Sequence, residues 1–182
     1  AGDEKSGITI MNVVEALDAG SMLLKEEIKI TPDMTGEMLH DKMAELGGEL
    51  IVKALDDIDT LQKNALAQDE NSVTYAKKID KAECMLDFNQ TAEVLERKIR
   101  AFNPYPAMFF EYKGERIKVL RAEVCAQKGN AGDILEGQKA LIIACQDKSL
   151  SVVELQRAGK KKMTIKEVLN GMKFENINLI CR

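Results

Sequence analysis

The chain has 182 residues, 45% of them apolar and 31% charged, with a formal net charge of −4, a composition that fits a packed soluble fold of one large or two small domains. No apolar run approaches the roughly 20 residues of a membrane span, and the opening Ala1-Gly2-Asp3-Glu4-Lys5 has no apolar core of the kind a signal peptide needs. Charge is uneven: residues 104–182 carry 14 Lys/Arg against 9 Asp/Glu, net +5, and residues 1–103 sum to −9, which fits either a polyanion-binding second half or a chance split across two surfaces.

In chain order, Ile8 to Val14 is rich in β-branched residues and reads as a buried strand. The turn Glu15-Ala16-Leu17-Asp18-Ala19-Gly20 follows, then a second strand from Met22 to Ile30 that Thr31-Pro32-Asp33 ends. Thr35 is the expected N-cap of a helix, with Glu37 near the positive end of its dipole. Met38, Leu39, Met43 and Leu46 recur at helical spacing, Gly47-Gly48 is expected to break or bend the helix, and the period resumes in Leu50, Ile51, Ala54, Leu55 and Ile58. His40, the only histidine, lies on this helix with no partner motif and reads as a surface or half-buried residue.

Residues 61–90 are polar and poorly periodic, and a stretch of that length suggests a linker between two domains. Thr91 then caps a short helix with the apolar stripe Ala92, Leu95, Ile99 and Phe102, which Asn103-Pro104-Tyr105-Pro106 stops. Met108 to Tyr112 and Arg116 to Val124 read as a hairpin about Lys113-Gly114-Glu115. Apolar residues occupy 117 and 119, then 120, 122 and 124, and the phase shifts again between Val152 and Val153, so β-bulges are expected at both places. Ile134-Leu135, Leu141 to Ala144 and Leu150 to Leu155 supply further strands, and a last helix starts near Thr164 with Ile165, Val168 and Leu169 inward. Short bulged strands of this number favour a small closed barrel. Cys84, Cys125, Cys145 and Cys181 are spaced too widely for a metal knuckle or redox pair, so no metal is expected, and a reducing cytoplasmic home fits.

Gly7-Ile8-Thr9-Ile10-Met11 followed by Leu17-Asp18-Ala19-Gly20-Ser21-Met22 resembles the folate-pocket strand and loop of the formyltransferases that use 10-formyltetrahydrofolate. Asp69-Glu70, Val73-Thr74-Tyr75-Ala76-Lys77-Lys78-Ile79 and Leu86-Asp87-Phe88 are similar to the linker of the methionyl-tRNA formyltransferases in particular. So are Leu95-Glu96-Arg97-Lys98-Ile99-Arg100-Ala101-Phe102-Asn103-Pro104-Tyr105-Pro106 and the barrel end Leu155 to Met163. Two positions depart from that pattern, Ala16 where the family has Gly and Ser21 where it has Asp. The resemblance implies an α+β chain: residues 1–60 as the remnant of an α/β formyltransferase domain, 61–90 as linker, and 91–182 as an OB-like Greek-key β-barrel that binds tRNA. It also places the family's catalytic Asn and His and its Ser-Leu-Leu-Pro motif ahead of Ala1, and the absence of an initiator Met agrees with a piece of a longer chain.

The implied reaction moves a formyl group from 10-formyltetrahydrofolate to the α-amine of methionine on initiator tRNA. That chemistry needs a group to stabilise developing negative charge and one to move a proton. The resemblance assigns Asp18 the part of holding the His, with Leu17 and Asp18 at the folate; the bland alternative is a turn aspartate, since Asp-X-Gly is common turn chemistry. Lys77, Lys78 and Lys81, then Arg97, Lys98 and Arg100, then Lys160, Lys161 and Lys162 form three basic groups. Each alone reads as a solvated face; together on a tRNA-docking barrel they imply a phosphate-binding channel for initiator methionyl-tRNA. Tyr105 reads as a core or interface anchor before a base-stacking group. The alternatives are a freestanding nucleic-acid-binding barrel and a sugar-nucleotide formyltransferase; the first does not need the folate-loop segment, and the Asn-Pro-Tyr-Pro motif and lysine-rich barrel end count against the second. The full enzyme is expected to be monomeric. The chain alone is expected to be inactive and prone to self-association through apolar faces in residues 1–60.

Overall fold

The structure, a computed structural model, describes residues 2–179, so Cys181 lies outside the described residues. The chain divides into two units, Ala1–Lys78 and Ile79–Arg182. Among the described residues no helix is long and apolar enough to cross a membrane.

In the first unit, strands β1 (Lys5–Met11) and β2 (Met22–Lys29) form an antiparallel ribbon, with Lys5 opposite Lys29 and Met11 opposite Met22. The first strand stops at Met11, short of the expected Val14, and Val13 and Val14 lie exposed in the connecting loop. Helix α1 (Gly36–Asp56) packs across both strands. Thr35 caps it, accepting from the Met38 N–H at 3.2 Å, with Glu37 in the first turn and Lys53 in the last. Contrary to the sequence expectation, Gly47-Gly48 does not interrupt it. Each glycine weakens a helix by about 1 kcal/mol relative to alanine, but here they sit in a long capped helix against a ribbon, and the Gly47 backbone faces the Ile8 side chain. Leu50 and Ala54 are buried, while Met38, Ile51, Val52 and Leu55 are exposed. A short helix α2 (Ile58–Lys63) follows, and Leu66 bridges back to Met22 through Met22 N–H to Leu66 O at 2.7 Å and Leu66 N–H to Met22 O at 2.9 Å.

The second unit holds one large core, running from Cys84, Leu86 and Phe88 through Leu95, Ile99 and the sheet to Phe174 and Leu179. Residues that read as polar spacer thus include core: Cys84, Leu86 and Phe88 alternate with Met85 and Asp87, and the Leu86 N–H donates to Phe109 O at 2.7 Å, laying the strip along the edge of β3 (Met108–Tyr112). Helix α3 (Ala92–Ala101) is capped by Thr91 and again from afar, because Asp147 Oδ1 accepts from the Ala92 N–H at 3.0 Å. Its stripe Ala92, Leu95 and Ile99 is fully covered.

The antiparallel sheet runs β3, β4 (Glu115–Cys125), β7 (Ser149–Arg157), β6 (Ile142–Ala144), β5 (Ile134–Glu136), with β8 (Lys162–Thr164) also on β7. β6 and β8 share one side of β7 in tandem, opposite residues 149–151 and 154–156. The β3–β4 turn has two residues, Lys113 (φ 50°) and Gly114 (φ 78°), both left-handed as a tight hairpin turn requires. Both expected bulges are present and face each other: between Val119↔Leu155 and Ala122↔Val152, Leu120 is the extra residue on β4 and Val153 the extra on β7. Bulges bend a strand and raise its twist, which curls the sheet round the core. The Asn103 amide donates to Leu120 O at 2.7 Å, so the asparagine of the Asn-Pro-Tyr-Pro turn satisfies the carbonyl that the bulge leaves over. Tyr105 is 80% exposed, which overturns its reading as a core anchor: the side chain sits on a turn whose inward contacts come from Phe102 and Ala107 instead. Helix α4 (Ile165–Gly171) starts in a capping box between Thr164 and Glu167 and buries Ile165, Val168 and Leu169 as expected.

Several surface carboxylates of this unit are held by nearby donors. Glu115 is pulled below the usual range by the Arg157 guanidinium, which it meets at 2.7 Å. Asp147 is lowered by the backbone N–H groups of Ala92 and Lys148, and Asp133 by the side chains of Asn178 and Asn130. Each is a better acid folded than unfolded, so its contribution is complete above the unfolded pKa of about 4 and is lost as pH falls through the lower folded value. Urea midpoints for the second unit are therefore expected to be level from about pH 6 down to about pH 5 and to fall below that; a midpoint that rises on acidification would contradict these assignments.

Candidate functional site

The loop from Asn12 to Ser21 is closed at its neck by Asn12 N–H to Ser21 O at 3.0 Å and by the Asn12 amide to Ser21 Oγ at 2.8 Å. Gly20 makes that neck possible: a Cβ there would stand 1.7 Å from Asn12 O. Asp18 lies at the far side in the left-handed region (φ 54°), a conformation that aspartate tolerates better than most residues. Its carboxylate is exposed, and Leu17 beside it is 95% exposed. The loop thus presents the Asp18 carboxylate and the Leu17 side chain outward, with Glu15, Val13 and Val14 also exposed, able to accept hydrogen bonds and to stabilise a neighbouring cationic ring. His40 is elsewhere, on the open side of α1, with Nδ1 3.2 Å from its own neighbour Asp41.

The three basic groups have different surroundings. Lys77 and Lys78 end the first unit and Lys81 begins the first turn of the second; all three are exposed. On α3, Arg97 is exposed, Lys98 donates to Gln90 Oε1 at 2.8 Å, and Arg100 is half-buried with Nε 2.6 Å from Glu96 Oε1. Arg100 therefore serves its own helix before any ligand. Lys160 and Lys161 are exposed on the turn after β7, and Lys162 on β8 has Nζ 3.4 Å from Glu154.

Sheet register adds residues to the third group. Lys118 stands opposite Gln156, and Gln156 opposite Lys162, so the two lysines share one row of the outward face. They are about 10 Å apart at the usual strand spacing. Arg116 and Arg121 flank Lys118 on the same side of β4; Arg116 also lies 4.0 Å over the Phe109 ring. Sequence reading passed over these three because single basic residues on a strand do not form a run. Their signal was the alternation 116, 118 and then, after the bulge, 121.

The family model described as "Formyl transferase, C-terminal domain" matches residues 78–173, more than half the chain, and one described as "Formyl transferase" matches residues 1–55. The chain belongs to the formyl transferase family. Methionyl-tRNA formyltransferase of Paramagnetospirillum magneticum is 45% identical to this formyl transferase chain over 172 residues, covering 94% of the chain and 56% of the relative. That of Neisseria gonorrhoeae is 39% identical over 177 residues, 96% of the chain and 58% of the relative. The chain therefore spans little more than half the length of the curated relatives it matches. The fold of HypX from Aquifex aeolicus, solved in complex with tetrahydrofolic acid, is similar over 92% of the formyl transferase chain and 30% of HypX, with a TM-score of 0.66 at 20% identity.

Proposed function

We propose that the chain is the C-terminal part of a methionyl-tRNA formyltransferase of the cytoplasm. The observation that carries this reading is identity of 39–45% to enzymes of that name across almost the whole chain, through both units. In this reading residues 1–60 close the formyl-transfer domain and 91–182 dock tRNA; of residues 61–90 between them, the part from Ile79 packs with the second unit. The curled sheet of the second unit is an OB-like Greek-key barrel. Support for closure comes from a cleft of about 270 Å³ lined both by Leu86, Phe88 and Phe110 at the β3 edge and by Ile177, Asn178 and Leu179, while the Leu179 N–H donates to Gly132 O at 2.7 Å near β5.

Leu17 and Asp18 fit a folate: an exposed apolar side chain and an exposed carboxylate on one loop suit a flat heteroaromatic ring with N–H donors along its edge. 10-Formyltetrahydrofolate supplies the formyl group when bound. Asp18 holds, by charge and hydrogen bonding, a histidine from the part of the relatives' length that this chain does not match, and so sets that histidine's protonation state. Lys160, Lys161 and Lys162, joined by Arg116, Lys118 and Arg121, take the phosphates of initiator methionyl-tRNA, with Arg97 on α3 and Lys77, Lys78 and Lys81 adding positive charge, while Arg100 stays on Glu96. Such contacts give affinity and orientation and read no sequence. The complete enzyme works as a monomer.

The test is tRNA binding by the chain across a salt series. With about five phosphates neutralised, affinity is expected to drop several hundredfold between 50 and 200 mM salt. Replacing Lys118, Lys160 and Lys161 by Gln should lower the salt slope by about one unit each. Binding indifferent to salt, or unchanged slopes in the variants, would refute the basic face as the docking surface.

A further inference from the structure

We propose that Gln68 is a positioning residue for formyl transfer, acting as a clamp that fixes the backbone on which Asp18 is mounted; this rests on the reading of Asp18 given above. The loop from Val13 to Ala19 is exposed throughout. One side chain hydrogen-bonds its far side: Gln68 Nε2 donates to Asp18 O at 2.7 Å and to Gly20 O at 2.7 Å. An amide nitrogen has two hydrogens, and both are spent on the carbonyls that flank Ala19. The same nitrogen lies 3.7 Å from Met11 Sδ, at the end of β1.

Gln68 is itself held. Gln62 on α2 forms a reciprocal amide pair with Asn12, Gln62 Nε2 to Asn12 Oδ1 at 2.7 Å and Asn12 Nδ2 to Gln62 Oε1 at 3.2 Å. Leu66 bridges Met22 in both directions. Residues 62, 66 and 68 therefore grip the loop at its neck, at the strand it returns to and at the backbone on either side of Ala19. The grip counters a real tendency to relax, since a non-glycine residue at positive φ carries strain of about 1 kcal/mol or more and Asp18 sits at 54°. A carboxylate that must meet a histidine at hydrogen-bond distance tolerates little drift: a displacement near 1 Å can lower a rate about a hundredfold.

The experiment pairs Gln68→Ala with Gln68→Glu, which keeps the size and removes the donor. In the 182-residue chain, NMR order parameters of residues 14–20 are expected to fall from about 0.85 to below about 0.6 in both variants, with the α1 signals unchanged. In the chain extended to the length of its relatives, kcat for formyl transfer is expected to drop about a hundredfold while KM for tRNA holds. An unchanged loop in both variants overturns the clamp. A loosened loop with full kcat overturns the positioning role, provided that Asp18→Asn is inactive. Full activity of Asp18→Asn overturns the reading of Asp18 instead, and a loosened loop then leaves the clamp standing.

Discussion

Phe88→Ala is expected to destabilise the second unit by about 3–5 kcal/mol, the usual loss when a large aromatic side chain is removed from a core. The residue is 1% exposed and packs edge-on against Phe110, with ring centroids 6.4 Å apart and planes at 62°. It lies on a strip that hydrogen-bonds the edge of β3, so the strip has a fixed position and cannot slide to fill the void. The measurement is a urea midpoint of the chain, followed by a probe within the second unit. Lys81→Ala, at an exposed site of the same segment, serves as the control and should move the midpoint by less than about 0.5 kcal/mol. A loss below about 1 kcal/mol for Phe88→Ala would show that residues 79–90 are a tether and not part of the core.

Gly20→Ala is expected to open the loop that carries Asp18 and to destabilise the first unit by about 1–3 kcal/mol or more. The obstacle is space and not φ: the new Cβ would stand 1.7 Å from Asn12 O and 2.7 Å from Asn12 C, both backbone atoms that no rotamer change can move. Relief requires breaking the Asn12 N–H to Ser21 O bond, so amide exchange at Asn12 should quicken sharply. Gly48→Ala is the internal comparison. Nothing lies within 4 Å of its added Cβ, it sits within α1, and it should stabilise the unit by about 0.5–1 kcal/mol. Equal effects of the two substitutions would mean that the neck is not closed as described.

Much of the second unit was legible because its signals are short-range. Thr91 is a cap with its stripe behind it, the last helix starts at Thr164, the hairpin about Lys113-Gly114-Glu115 forms with its turn shortened to Lys113-Gly114 because Glu115 joins the strand, and the phase slips at residues 119–120 and 152–153 mark bulges that the register confirms. What was not legible depended on distant partners. Cys84, Leu86 and Phe88 alternate among polar residues, and only the edge of β3 makes that alternation a strand-like core segment. Gly47-Gly48 reads as a break until a ribbon lies along the helix. Val13 and Val14 read as strand because β-branched residues favour strands, yet the neck formed by Asn12 and Ser21 turns the chain before them. At the site, the resemblance led to Asp18 but gave no sign of Gln68, whose role consists of two bonds to backbone carbonyls 50 and 48 residues away. Lys118 and Lys162 became neighbours only through the register of three strands.

The facing bulges of β4 and β7 have an evolutionary corollary. Deleting Leu120 alone would leave Arg121↔Glu154 and Ala122↔Val152 paired as they are, with β4 regular and Val153 a lone bulge on β7; deleting Val153 alone would leave Leu120 as the lone bulge on β4. Deleting both restores the weave with less coiling. The two surplus residues are thus separable: descendants of this sequence can shed either one without turning a core side chain outward, and lose only part of the local coil.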